Sequence, residues 1–316
     1  MNPSSYKQIT TTRGFKYNYY VSAGDPSKPI LLFIHGFPST SYDWHLQVSF
    51  FKKEGFGMIV PDVLGHGQTD KPTDPAAYKH SGMAADIVNI LDAENVDKAI
   101  AIGHDWHGCL SALLASLEVT FMRSGARLYY DAAAARLKQA IGYEPFGYWH
   151  FFSEDGANKV IMEHGESFLN LFYPRDPIIW KEHMCPPGEI KEWLLADKKA
   201  PPASYLTEQD REDIMSRISI DGLAGGLNWY KVYTLGITSE DDRQIPEANH
   251  VIQQPVLYIG GKMDYVCVPA IGYPTLNKYC PNRTLKEYDA GHWLQFEVAD
   301  QVNNEILAWI NDNVKL

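Results

Sequence analysis

The fold of this chain is decided by residues 99–108, which read Ala-Ile-Ala-Ile-Gly-His-Asp-Trp-His-Gly. The run from Ala99 to Ile102 is short, continuous and apolar, as expected of a parallel strand that is buried on both faces. It ends at Gly103, and the residues after the turn have a helical pattern. A strand, a tight turn and a helix in this order form the setting of a nucleophile elbow, with Asp105 at the position usually taken by serine.

Similar apolar runs occur on both sides of this stretch. The runs that we predict as further strands are Ile30 to Ile34, Met58 to Val60, Gln139 to Tyr143, Pro255 to Ile259 and Thr284 to Tyr288. Helical patterns cover residues 41–53, 76–93 and 131–138, and a closing helix is predicted over 298–311. Strands that alternate with helices predict an α/β fold, with a mostly parallel sheet flanked by helices.

Residues 147–245 have a different pattern, with many aromatic residues, two Pro-Pro pairs and no convincing buried-strand run. Thr207 and Asp210 have the spacing of a capping box at the start of a helix. We therefore predict a helical cap over 147–245. It is inserted between a first core segment, residues 1–146, and a second core segment, residues 246–316.

The composition excludes several classes of protein. The 28 basic and 39 acidic residues give a formal charge of −11, which argues against nucleic acid or an anionic membrane as a partner. The four cysteines show no C-x-x-C spacing, so neither a disulfide framework nor a zinc ribbon is predicted. No apolar run reaches the roughly 18 residues that span a bilayer, and the N-terminus lacks a signal pattern. A soluble cytoplasmic protein without membrane insertion is expected, and its oligomeric state is left open.

Three strand ends carry residues that could perform chemistry. Asp105 follows one predicted strand, Asp264 follows the strand that ends at Ile259, and His292 follows the strand that ends at Tyr288. A single aspartate in a glycine-rich turn is usually a turn residue. Three such residues in the order nucleophile, acid and histidine, each at its own strand end, are typical of the catalytic triad of an α/β-hydrolase.

Motifs along nearly the whole chain resemble one family. They are His-Gly-Phe-Pro at 35–38, Asp-Val-Leu-Gly-His-Gly at 62–67, Gly-His-Asp-Trp at 103–106 and Ala-Gly-His-Trp at 290–293. Together they resemble the soluble epoxide hydrolases of the α/β-hydrolase superfamily. Within the cap, Leu-Asn-Trp-Tyr at 227–230 resembles the segment that supplies one acid tyrosine of that family, and Tyr148 falls where the other would be.

The resemblance implies a role for each of these residues. A carboxylate attacks the strained ring and forms an alkyl ester, two phenols protonate the leaving oxygen, and a histidine then activates water to hydrolyse the ester. The implied nucleophile is Asp105, the acids are Tyr148 and Tyr230, the base is His292, its orienting partner is Asp264, and the oxyanion hole is made by the N–H groups of Phe37 and Trp106. The chain has 19 tyrosines, and others such as Tyr143, Tyr173 and Tyr233 are expected to be packing residues by default.

Aromatic residues are expected to line the substrate pocket, which favours a hydrophobic epoxide as the substrate and a vicinal diol as the product. The residues in question are Phe37, Trp106, Trp149 and Phe152, with Phe151 beside them. No cofactor is expected. No metal is expected either, because nothing in the sequence supplies a third and fourth ligand beside His104 and His107.

Two features depart from the family pattern. His107 stands where the elbow normally has a small residue, and Glu118 to Leu128 reads as an inserted segment after the elbow helix. Other functions also stay open, since one fold serves many. A haloalkane dehalogenase shares the aspartate nucleophile but usually has Asn where Phe37 stands. A fluoroacetate dehalogenase would have Arg in place of Trp106. A binding protein without turnover would have no need of an intact triad.

Overall fold

In a computed structural model of the protein, which describes residues 1–105, 127–237, 241, 243 and 250–314, seven strands form two sheets. The strands are β1 (Tyr6–Thr10), β2 (Lys16–Ser22), β3 (Ile30–Ile34), β4 (Gly57–Pro61), β5 (Ala99–Gly103), β6 (Val256–Gly261) and β7 (Arg283–Tyr288). The first sheet has the order β1-β2-β4-β3-β5, and β6 and β7 form the second. Pairing is antiparallel from β1 to β2 and from β2 to β4, and parallel elsewhere.

The apolar runs of the sequence become the central strands. Every residue of β4 is buried, as are four of the five residues of β3. In the parallel pairing of β3 with β5, Ile30 lies opposite Ala99 and Ile34 opposite Gly103. The carboxyl ends of these two strands therefore meet at one edge of the sheet, where functional groups of open α/β sheets collect.

The hairpin of β1 and β2 is missed by the sequence analysis. In its register Tyr6 lies opposite Tyr20 and Thr10 opposite Lys16. Three of the five residues of β1 are exposed, so this edge strand lacks the unbroken apolar run that marks the strands inside the sheet.

Thirteen α-helices are found among the described residues. They are α1 (His45–Lys53), α2 (His80–Ala93), α3 (Arg127–Ile141), α4 (Tyr148–Phe152), α5 (Ala157–Glu163), α6 (Gly165–Phe172), α7 (Ile178–His183), α8 (Glu189–Leu195), α9 (Glu208–Ser216), α10 (Ala224–Thr234), α11 (Pro269–Tyr279), α12 (Leu294–Glu297) and α13 (Ala299–Asn313). Short 3₁₀ turns cover Pro3–Ser5, Ser41–Trp44 and Pro75–Tyr78, and a π-helical turn covers Arg217–Asp221. No helix in the described ranges has both the length and the apolar character needed to cross a bilayer.

The predicted strand from Gln139 to Tyr143 is wrong. Its first three residues belong to α3, which runs from Arg127 to Ile141. The stretch before it is rich in alanine and continues with Arg, Leu, Lys and Gln, all strong helix formers, so the helix propagates through the short apolar run. Gly142 ends the helix with φ of +83°, and its N–H donates to the carbonyl of Lys138.

As a consequence, the described residues contain no strand between β5 and β6. A cavity of about 1510 Å³ lies between these two strands. The whole of β5 and of β6 contribute to its wall, and Asp105, Asp264 and His292 reach it at the carboxyl end.

The described part of the segment predicted to be a cap is helical, from α4 to α10. The capping box is present at the start of α9, where Thr207 and Asp210 exchange side-chain to backbone hydrogen bonds of 2.8 Å and 3.2 Å. Two buried indoles join these helices to the rest of the chain. Trp229 donates to the carbonyl of Leu64 at 3.0 Å, and Trp293 donates to the carbonyl of Phe172 at 2.8 Å. The domain limits at 146 and 246 remain a proposal.

Candidate active site

Asp105 lies at the tip of the turn that follows β5 and has φ of +58°. This left-handed conformation is uncommon for a residue other than glycine and is typical of strained functional turns. The loop after β3 comes very close to it, because a Cβ on Gly36 would stand 2.4 Å from the Asp105 Cβ. A glycine at position 36 is therefore required for the two loops to meet.

The three residues predicted as a triad are brought together. The Nε2 atom of His292 is 3.4 Å from Oδ1 of Asp105, and its Nδ1 is 2.8 Å from Oδ2 of Asp264. Asp264 is buried, and its other oxygen, Oδ1, accepts the N–H groups of Val266 at 2.9 Å and Cys267 at 2.8 Å. The carboxylate of Asp264 is thus fixed by the loop after β6, and it fixes the orientation of the imidazole.

The electrostatics of the triad follow from its burial and its charges. Burial lowers the pKa of His292, but the charge of Asp264 and the hydrogen bonds that the ring donates to both carboxylates outweigh it and raise that pKa well above the usual value. Burial likewise disfavours the charged form of Asp264, yet the charge and hydrogen bond of His292 and the two backbone N–H groups lower its pKa. The pair is therefore an ionised carboxylate that stabilises a protonated imidazole.

His104 packs against His292 and contacts its backbone. Its Nε2 lies 2.8 Å from the backbone carbonyl of His292, and its ring centre is 4.6 Å from that of His292. Burial lowers the pKa of His104 to about 4, so the ring is neutral. Nε2 then carries the proton that the carbonyl accepts, and Nδ1 accepts from the amide of Gln295 at 3.4 Å. His104 therefore has a structural role here.

The backbone N–H of Phe37 points at the nucleophile and donates to Oδ2 of Asp105 at 3.3 Å. This is the position expected of one half of the predicted oxyanion hole. The other half was assigned to Trp106, which lies outside the described residues. His107 and residues 118–126 of the inserted segment lie outside them as well, so their effect on the elbow stays a prediction.

Tyr148 and Tyr230 stand together in the interior, 5% and 2% exposed. Tyr148 begins α4 and Tyr230 belongs to α10, and their ring centres are 5.8 Å apart. The Tyr230 ring packs edge-on against Phe37 at 5.1 Å, next to the N–H that reaches the nucleophile. Burial, the neighbouring Tyr230 and the charge of Asp105 all raise the pKa of Tyr148, which keeps its phenol protonated.

Aromatic rings surround these phenols. Phe152 lies 4.8 Å from Tyr230 and 5.4 Å from Phe37, and the ring of Trp149 lies 6.2 Å from Tyr230. All of these side chains are buried, as is Phe151. The wall is apolar, apart from the hydroxyls.

The three tyrosines set aside as packing residues have other contacts. The hydroxyl of Tyr143 donates to the carbonyl of Tyr265 at 2.8 Å, Tyr173 stacks on Trp293 at 4.3 Å, and the hydroxyl of Tyr233 lies 3.2 Å from Nε2 of His80. Each contact accounts for a tyrosine in the packed interior without any catalytic role.

One residue beside the triad is not found by the sequence analysis. Ligand atoms of Asp105, Cys267 and His292 all lie within 4.8 Å of one another. In the sequence the only signal is that Cys267 follows Asp264 by three residues, and a single cysteine at that spacing matches no motif. The turn that places it is made by the hydrogen bond from the Cys267 N–H to Asp264.

Residues 29–166 match the family model described as alpha/beta hydrolase fold. Among curated proteins, Epoxide hydrolase A of Mycobacterium tuberculosis is 25% identical, the match covering 96% of this chain and 97% of that protein. Epoxide hydrolase 2 of Siraitia grosvenorii is 28% identical over 66% of this chain and 67% of its own length. Among solved structures, an epoxide hydrolase from an endophytic Streptomyces superposes with a TM-score of 0.78 at 25% identity, covering 97% of this chain and 95% of that one.

Proposed function

We propose that this chain, which has the α/β-hydrolase fold, is an epoxide hydrolase that converts a hydrophobic epoxide and water to a vicinal diol through an ester on Asp105. The observation that carries the proposal is the position of the Asp105 carboxylate. One of its oxygens faces His292, the other faces the N–H of Phe37, and two protonated phenols stand in the aromatic wall nearby. The names of the relatives agree with this activity.

In the first step, Oδ1 of Asp105 attacks a ring carbon, and the carbon–oxygen bond of the epoxide breaks. The leaving oxygen takes a proton from Tyr148 or Tyr230, because an alkoxide would be a poor leaving group. Oδ2 becomes the carbonyl oxygen of the ester. It already accepts a hydrogen bond from Phe37, so the oxyanion hole needs no rearrangement before the next step.

In the second step, His292 takes a proton from water, and the hydroxide adds to the ester carbonyl. Charge develops on Oδ2 and is stabilised by the N–H of Phe37 and, in the proposed site, by that of Trp106. The ester bond to Asp105 then breaks, the diol oxygen takes the proton from His292, and the oxygen of water stays on Asp105. The new carboxylic acid of Asp105 ionises, and its proton restores the phenol that was used in the first step. Asp264 stabilises the imidazolium between these events.

The apolar wall favours a hydrophobic substrate over a charged one. Phe37, Trp149 and Phe152 are buried aromatic residues around the two phenols. Desolvating a charged group against them would cost several kcal/mol, about 2–7 even for a neutral polar group without a partner.

The proposal is tested by a single turnover in ¹⁸O-labelled water with an aryl-substituted epoxide and enzyme in excess. The first diol should carry unlabelled oxygen, and Asp105 should gain one heavy oxygen in a peptide mass spectrum. Label in the first diol would mean direct attack by water and would overturn the ester mechanism.

A variant test traps the intermediate. His292→Gln should still form the ester but hydrolyse it slowly, so that intact mass rises by the mass of the substrate. Asp105→Ala should show no such adduct and serves as the control. A chloroalkane assayed in parallel for halide release separates a dehalogenase from an epoxide hydrolase.

A further inference from the structure

Three side chains at the carboxyl ends of β5, β6 and β7 can act together as metal ligands. Asp105 offers a carboxylate oxygen, Cys267 a sulfur and His292 the Nε2 nitrogen, and these atoms lie within 4.8 Å of one another. The proposed reaction uses Asp105 and His292 but gives Cys267 no part. The residue is exposed and lines the cavity between the two sheets, while burial of its thiol raises the pKa of that group to about 11.

The distance between the histidine nitrogen and the carboxylate oxygen suits a tetrahedral cation, and the sulfur lies within 4.8 Å of both. Zinc binds sulfur at about 2.3 Å and histidine nitrogen at about 2.0–2.1 Å, which places neighbouring ligands roughly 3–4 Å apart. His292 Nε2 and Asp105 Oδ1 are already 3.4 Å apart. The third atom, the sulfur, completes a set of three ligands and leaves a fourth position for water.

The surroundings of His292 also match those of a metal-binding histidine. Such a ring usually donates its second N–H to a carboxylate, which fixes its orientation and strengthens the nitrogen that binds the metal. Nδ1 of His292 lies 2.8 Å from Asp264, whose own carboxylate is held by two backbone N–H groups. Nε2 is thereby aimed at Asp105 and Cys267.

We propose that Asp105, Cys267 and His292 form an inhibitory site for a thiophilic divalent cation such as Zn²⁺. A sulfur, a nitrogen and one carboxylate favour zinc, cobalt or cadmium over magnesium, which requires oxygen ligands. On binding, the Cys267 thiol and the protonated imidazole of His292 each lose a proton to the buffer, and a sulfur–metal and a nitrogen–metal bond form. The lone pair of His292 and an oxygen of Asp105 are then occupied, so neither ring attack nor water activation can proceed.

The inhibitory effect rests on the proposed function, whereas binding does not, and the experiment separates the two. The full-length chain is freed of metal with a chelator and titrated with Co²⁺, which gives a near-ultraviolet charge-transfer band only when a thiolate is bound. Diol formation is then measured against Zn²⁺, with Mg²⁺ as the hard-cation control. The matched variants are Cys267→Ala and Cys280→Ala, the latter removing a buried thiol outside the proposed site.

The wild type and Cys280→Ala should show the cobalt band and be inhibited by Zn²⁺ but not by Mg²⁺. Cys267→Ala should lack the band and, relative to its own activity without added metal, need at least about 10-fold more Zn²⁺ for the same inhibition. A wild type without the band, or a Cys267→Ala variant that keeps it, would overturn the site. A chain that binds Co²⁺ through Cys267 but hydrolyses no epoxide would instead refute the proposed function and leave the metal site in place.

Discussion

Asp105 meets two requirements that few residues satisfy together. Its backbone adopts φ of +58°, and its side chain must carry a charge in a largely enclosed position, 11% exposed. Aspartate tolerates the left-handed region better than most charged residues because its short side chain can bond locally. Its second oxygen is held by the N–H of Phe37, while Gly36 leaves room for the loop to approach.

The phenols of Tyr148 and Tyr230 give a first prediction. Tyr148→Phe and Tyr230→Phe should each slow ring opening, and the double variant should lose about 10²–10⁴-fold, the usual contribution of a positioned acid. The rate of ester formation is measured by rapid-quench mass spectrometry. Tyr173→Phe, which removes the hydroxyl of a tyrosine stacked on Trp293, is the control and should react at the wild-type rate. Undiminished ring opening in the double variant would mean that the acids are elsewhere.

His292 gives a second prediction, about pH. Hydrolysis of the ester needs a neutral imidazole, and two carboxylates raise the pKa of His292 above its usual value. Ester hydrolysis is therefore lost as the pH falls through the pKa that His292 has in the ester, about tenfold per unit below it. Once Asp105 is esterified its charge is gone, so the pKa of His292 in the ester should lie below its pKa in the free enzyme.

Stopped-flow measurements of ester formation and decay across pH check this order. In Asp264→Asn the main charge that raises the pKa of His292 is lost, so the loss of ester hydrolysis should begin at a still lower pH. The rate should also fall by about 10²–10⁴-fold, because the ring is no longer oriented. If the pH dependence of ester hydrolysis were unchanged in Asp264→Asn, a group other than His292 would control it.

The π-helical turn Arg217–Asp221 follows α9 and connects α9 to the loop after β3. Arg217 is buried and lies 2.8 Å from Asp43, 3.0 Å from Asp213 and 3.4 Å from the carbonyl of Pro38. Pro38 directly follows Phe37, whose N–H reaches the nucleophile. The ion pair thus connects a helix of the predicted cap to the loop that forms the oxyanion hole.

Arg217→Met should therefore destabilise the protein by about 3–5 kcal/mol, because it leaves Asp43, 2% exposed, as an unpaired buried charge. Urea unfolding followed by circular dichroism gives the free energy. Asp213→Asn, at a carboxylate that is 36% exposed, should cost less than about 1 kcal/mol. Adding Asp43→Leu to Arg217→Met should recover most of the loss, and a failure to do so would mean that packing, rather than charge, explains the effect.

For the whole molecule, the sequence predicts the parts whose signal is local. The strands β3, β4 and β5 were found because buried parallel strands are unbroken apolar runs. The strands β6 and β7 and the final helix were predicted as well. The family model and the solved structures confirm the α/β-hydrolase fold. Asp105, Asp264 and His292 could be proposed as site residues because their strand ends and motifs are local as well.

The failures have a common cause in non-local structure. The run from Gln139 to Tyr143 is apolar enough for a strand, but the helix preceding it extends through Ile141. Cys267 could not be recognised because its neighbours, Asp105 and His292, belong to distant parts of the chain. Contacts of this kind depend on how the two sheets are placed, which no short window of sequence contains.

The two indole hydrogen bonds restrict how a substrate can enter. Trp229 binds the carbonyl of Leu64, and Trp293 binds the carbonyl of Phe172, both in the interior. Lifting the helices of residues 148–234 as a rigid body would break both bonds at once and expose two large apolar rings to water. Ligand exchange is therefore expected to leave both bonds intact and to proceed without a rigid-body movement of these helices.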